Sequence, residues 1–163
     1  MSDIQKRLDE VDKLKKQLAS TEKSIGKDIM KELKKLMTDN PSLEAIRWEQ
    51  YTPNFNDGDV CEFGTHGPYF KFDGSILPRD PESEDEDKWI MGGEYGGIDK
   101  DFFTKKSDIL NYKTITALKK AVEEVESLFE KLSYLSALKD MFGDGRQVTV
   151  TRSGVETEEY DHD

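Results

Sequence analysis

Residues 45–52 read Ala-Ile-Arg-Trp-Glu-Gln-Tyr-Thr, with Ile46, Trp48 and Gln50 alternating against Arg47, Glu49 and Tyr51. A two-residue period sends one set to a core and the other to the opposite face, and the aromatic content favours a half-buried β-strand. The next residues, Pro53-Asn54-Phe55-Asn56-Asp57-Gly58, carry turn formers. Asp57-Gly58 predicts a tight hairpin turn, whose central positions take positive φ. Residues 60–66 (VCEFGTH) and 67–72 (GPYFKF) then read as further strand segments. The result is an antiparallel meander of two or three strands, closed by a second turn signal at Asp73-Gly74.

Upstream, Ile4, Leu8, Val11, Leu14, Leu18, Ile25, Ile29, Leu33 and Leu36 recur at spacings of three, four or seven, which is one helical stripe. Thr21 and Glu22 interrupt it, and Gly26 lowers helix propensity by about 1 kcal/mol relative to Ala, so a kink or break is expected at residues 20–26. Asn40-Pro41 ends the helix. Downstream, residues 79–87 (RDPESEDED) hold six acidic side chains and predict a solvated loop. Residues 88–103 combine Trp89 and Tyr95 with two Gly-Gly pairs, a segment whose path the pattern does not fix.

Ile115, Leu118, Val122, Val125, Phe129 and Leu132 predict a second long amphipathic helix over about 112–140, ended by Gly143 and Asp144-Gly145. Residues 147–163 then form a hairpin about Ser153-Gly154, with Val148, Val150, Val155 and Tyr160 assigned to its packed face. The expected class is α+β: an antiparallel sheet, meander plus C-terminal hairpin, packed with two long amphipathic helices. The expected organisation is a helical region at 1–40, with coiled-coil character, and an α+β domain at 41–163.

The net charge of −11 is unevenly spread. Residues 1–38 hold ten Lys/Arg against seven Asp/Glu, which leaves −14 for the remainder. That sign disfavours direct nucleic-acid binding, which depends on cations that neutralise phosphate. A single cysteine, Cys61, excludes an internal disulfide and any cysteine-based zinc cluster within one chain, and no apolar run approaches the roughly 18 residues of a membrane span. A cytoplasmic setting and no membrane partner are therefore expected.

Two stretches, Trp48-Glu49-Gln50-Tyr51-Thr52-Pro53-Asn54-Phe55-Asn56-Asp57-Gly58 and the Tyr160-Asp161-His162-Asp163 ending, resemble a family of acidic proteins of tailed bacteriophages and prophage-bearing bacteria. The resemblance implies a viral or mobile-element setting, with an infected or prophage-bearing bacterium as the compartment. It supplies no activity and no catalytic residue.

Candidate chemistry is sparse. Asn54, Asn56, Asp57 and Asp59 place oxygens around a glycine, but without the spacing of a calcium loop, so they read as a turn and no metal is assigned. Cys61 and Phe63 fall on one face of a strand and read as core. No phosphate-cradling loop, dinucleotide fingerprint or nucleophile elbow is present, and no cofactor is assigned. The aromatic residues cluster in the sheet region, and those facing outward need a ligand or a cover. Arg47, Trp48, Tyr51, Phe55, Asn56, Asp57, His66 and Tyr69 are the candidate ligand-binding or partner-binding residues. The expected function is non-enzymatic binding: engaging or sequestering a host protein, as in counter-defence, or a small ligand of nucleotide-like kind. A charge mimic of nucleic acid is a second form of the same idea. The alternatives are an assembly protein, homodimeric through its helices, and a small hydrolase acting through His66.

Overall fold

The computed structural model describes residues 2–55, 57–74, 76, 89–92, 98, 102–103, 111–133 and 136–161. Eight elements follow in order: α1 (Asp3–Asp39), β1 (Leu43–Tyr51), β2 (Gly64–Phe72), β3 (Ile90–Met91), α2 (Tyr112–Leu132), α3 (Ala137–Phe142), β4 (Arg146–Thr151) and β5 (Val155–Glu159). The strands make one sheet, ordered β3-β2-β1-β4-β5, and every neighbouring pair is antiparallel. The α+β class read from the sequence is the observed one. The acidic stretch at 79–87 lies outside the described residues, as does most of 88–108. No helix among the described residues is long and apolar enough to cross a membrane.

The alternation in β1 builds the core. Ile46, Trp48 and Gln50 are buried beneath the helices together with Phe70 and Phe72 of β2 and Val148 and Val150 of β4. Ile29, Leu33, Leu36 and Met37 of α1 and Leu118, Val122, Val125, Phe129 and Leu132 of α2 close over them. Trp48 is the hub, edge-on to Phe129 of α2 at 5.0 Å and to Phe142 of α3 at 5.7 Å. Each apolar side chain moved out of water here contributes about 1.5–3 kcal/mol. Gln50 is the polar exception. It is fully buried, accepts from Trp48 Nε1 at 2.9 Å, and donates to the carbonyls of Leu138 at 3.0 Å and Gly143 at 2.6 Å. That side chain ties β1 to both ends of α3.

Four expectations are corrected. The first helix does not break at 20–26; α1 is continuous over 37 residues. A Cβ at Gly26 would lie 2.2 Å from Met141 Sδ, so the glycine serves the close approach of α3, and Glu22 accepts a hydrogen bond from Ser136 at 2.7 Å. The residues that look like breakers are where α3 docks. The second helix does divide: α2 ends at Leu132, with Ser133 as its cap, and α3 starts at Ala137, which buries Ala137 and Leu138. Next, residues 60–63 are not a strand, so the tight hairpin becomes a 52–63 connection. Asp57 and Gly58 do turn there, with φ of 31° and 95°. Finally, Tyr160 is not on the packed face. Val155 pairs with Val150, and five residues of alternation carry Tyr160 to the other side.

The two long helices, α1 and α2, are capped at their starts. Ser2 accepts from the Gln5 amide, and Asn111 accepts from the Thr114 amide at 2.9 Å. The C-terminus of α1 has no basic residue of its own in its last turn. Arg152, from the β4–β5 turn, supplies the donors: its Nε reaches the Met37 carbonyl at 3.1 Å and its terminal nitrogen reaches the carbonyls of Pro41 and Leu43.

Candidate functional site

The three helices pack on one side of the sheet, and its other side carries the odd-numbered residues of the second half of β1. Arg47, Glu49 and Tyr51 stand there in a row, all half-buried. β2 contributes Tyr69 opposite Arg47 and His66 opposite Glu49. Those two side chains are three residues apart, and a regular strand would put them on opposite faces. A β-bulge resolves this: between the two pairs, β1 has Trp48 alone where β2 has both Gly67 and Pro68. Gly67 takes a φ of 116°, a conformation open to glycine. The extra residue turns His66 onto Tyr51, and the two rings stack at 4.5 Å with an interplanar angle of 12°.

Tyr160 follows β5 and completes the cluster, its ring 5.7 Å from that of Tyr51. Glu49 sits at the centre. Tyr69 Oη donates to one carboxylate oxygen and Gln147 Nε2 to the other, each over a long 3.4 Å. Burial, reinforced by the negative charge of Glu49, pushes the Tyr69 hydroxyl pKa up. For Tyr160 the charge of Glu49 is the leading cause of an upward shift. Arg47 is already engaged: its Nε donates to Thr149 Oγ1 at 3.0 Å and its guanidinium lies 4.0 Å from the ring centroid of Trp89. Among the described residues no ion pair forms to Glu49. Among the described residues the carboxylate therefore has weak neutral donors for company.

Tyr51 and Tyr160 also wall an adjoining cleft of about 580 Å³, lined further by Thr52, Asn54, Cys61, Asp144 and Asp161. Cys61, expected in the core, is a half-buried residue of this rim. The floor is fixed by Asp144, which accepts from the Thr52 amide at 2.7 Å and from Thr52 Oγ1 at 2.6 Å, and pairs with Lys139 at 3.0 Å. Burial works against its ionisation, but hydrogen bonds from Thr52 and Lys139 and the charge of Lys139 outweigh it and hold the pKa at about 2, against 3.8 for a free side chain. A carboxylate held below its unfolded value stabilises the fold above that value and loses the contribution as pH falls through the folded one. Asp144→Asn is therefore expected to be less stable than the parent at pH 7, with the gap closing between pH ~4 and ~2. Urea unfolding across that range checks it, and a gap independent of pH would remove the ionic role.

No family model, curated protein or solved structure matches this chain.

Of the residues singled out in the sequence, Arg47, Tyr51, His66 and Tyr69 are brought together on the open face. Trp48 is not: alternation puts it in the core, fully buried. Phe55 and Asp57 are exposed in the 52–63 connection. Asn56 lies outside the described residues, as does His162. Glu49, Gln147 and Tyr160 were missed as site residues. The alternation that faces Arg47 and Tyr51 outward also faces Glu49 outward, so that signal was present. Among the described residues no group of three His, Cys, Asp or Glu side chains is placed to hold a metal ion.

Proposed function

We propose that this chain is a non-enzymatic binding protein whose open sheet face takes a cationic side chain, lysine or arginine, from a basic partner protein. The observation that carries this reading is Glu49: a half-buried carboxylate without an ion pair among the described residues, ringed by Tyr69, Tyr160 and the Tyr51–His66 stack. A cation near such rings gains from their negative faces, by about 0.5–2 kcal/mol per contact, and from the charge beneath them. The overall −11 steers a basic partner toward the chain before contact. In the phage setting implied by the resemblance, that partner is a host factor, engaged or sequestered in the cytoplasm.

Isothermal titration with a mixed Arg-Lys hexapeptide tests the reading. Glu49→Gln is expected to weaken binding about tenfold, while Glu123→Gln on the exposed face of α2 leaves it unchanged. Equal weakening by the two would mean diffuse attraction to an acidic surface and would sink the site. The same Glu49→Gln variant should lower the pH at which Tyr69 and Tyr160 ionise, followed by absorbance at 295 nm, because the charge that holds their protons is gone.

A further inference from the structure

The first half of α1 stands clear of the body. Residues 3–20 are exposed, while Gly26, Ile29, Leu33, Leu36 and Met37 on the same helix face are buried against the sheet and α3. The apolar stripe does not stop where the body does. Ile4, Leu8, Val11, Leu14 and Leu18 continue it, at 71%, 54%, 45%, 57% and 57% exposure. Five large side chains in one row on a solitary helical arm are a face shaped for another helix. An isolated arm of this length is also marginal without tertiary support.

We propose that the occupant is the same arm of a second copy, lying antiparallel. Charge selects both the partner and the direction. Residues 3–12 carry a net −2 and residues 13–23 a net +3. Antiparallel pairing sets each half against its opposite, and parallel pairing sets each against its like. Lys15 sharpens the choice, because it falls on the stripe between Val11 and Leu18. In a parallel pair it meets Lys15 of the other copy, whereas in an antiparallel pair it lies beside Asp12 of the other copy. The register that does this sets Leu8 opposite Leu18, and Lys15 opposite Val11 and one residue from Asp12, in both directions, with Leu14 flanking that layer. It also brings Ile4 opposite Glu22, where Ser136 of the body takes over the helix face. Each arm is thus as long as the overlap, and the two bodies sit at opposite ends without colliding. This interface is separate from the open sheet face and does not depend on the function proposed for it.

Sedimentation equilibrium of the full chain is expected to give twice the mass of one chain at micromolar concentration. Leu8→Ala keeps a strong helix former in place and should weaken the dimer by roughly a hundredfold, since each dimer loses two buried leucines. Direction is read with a spin label on Gln5→Cys in a Cys61→Ser background. Antiparallel arms hold the two labels about 25 Å apart, at 1.5 Å rise per residue, and parallel arms hold them near the roughly 10 Å spacing between axes. A monomer at 100 μM, a dimer indifferent to Leu8→Ala, or the short label distance would each overturn the proposal.

Discussion

Gln50→Leu is expected to lower the free energy of unfolding by about 3–5 kcal/mol, because it takes a hydrogen-bond partner from three groups, two of them buried, at about 1–3 kcal/mol each. Leucine fills much the same volume, so the loss is not a cavity effect. Trp48 Nε1 would lose its acceptor, and the carbonyls of Leu138 and Gly143 would lose their donor. The two carbonyls are at either end of α3, so the variant should also loosen that helix from β1, visible as faster amide exchange at residues 138–143. Gln50→Glu separates hydrogen bonding from shape. Its carboxylate would face two carbonyl oxygens, so the folded state would favour the protonated acid and raise its pKa above the unfolded value. A group raised in this way is least harmful below its unfolded pKa and costs more as pH rises through the folded one. Gln50→Glu should therefore fall below Gln50→Leu at pH 7 and recover toward pH 4. A cost under 1 kcal/mol for Gln50→Leu, by urea unfolding, would show that water replaces the missing partners.

How much of this was legible in the sequence depends on the length scale of each signal. The alternation of residues 45–51, the stripes of α1 and α2 and the turn at Ser153-Gly154 are local patterns, and each corresponds to an element of the structure. Gly26 and Glu22 look locally like a helix break, but their cause is 110 or more residues away, in Ser136 and Met141 of α3. The same holds for Gln50, whose acceptor partners lie 88 and 93 residues along the chain. At the candidate site, Arg47 and Tyr51 follow from alternation, and Glu49 would have followed from the same rule. His66 does not: a strict two-residue count from Tyr69 sends it into the core, and only the bulge at Gly67 returns it to the open face. Trp48 stands out by its aromatic ring, but its parity in β1 places it inside.

That dependence makes Gly67→Ala the most informative change at the site. An alanine at a φ of 116° is strained by about 1–3 kcal/mol whatever surrounds it. Here its Cβ would also lie 3.1 Å from Tyr69 Cδ2, 3.2 Å from the Tyr69 amide nitrogen and 3.3 Å from the Arg47 carbonyl oxygen. Two of those three are backbone atoms, which cannot rotate away. The expected loss of stability is about 2–4 kcal/mol. The strand can relieve the strain by giving up the bulge, and a shift of one residue turns His66 away from Tyr51. In a proton spectrum the ring C–H signals of His66, shifted upfield by the Tyr51 face 4.5 Å away, should then move back toward free-histidine positions. His66→Ala is the matching control: the side chain is exposed, so its removal should cost under about 0.5 kcal/mol. If Gly67→Ala kept both full stability and the shifted His66 signals, the bulge would be held by its neighbours instead of by the glycine. If stability fell and the signals moved together, one backbone position would account for the link between the register of the sheet and the aromatic ring around Glu49.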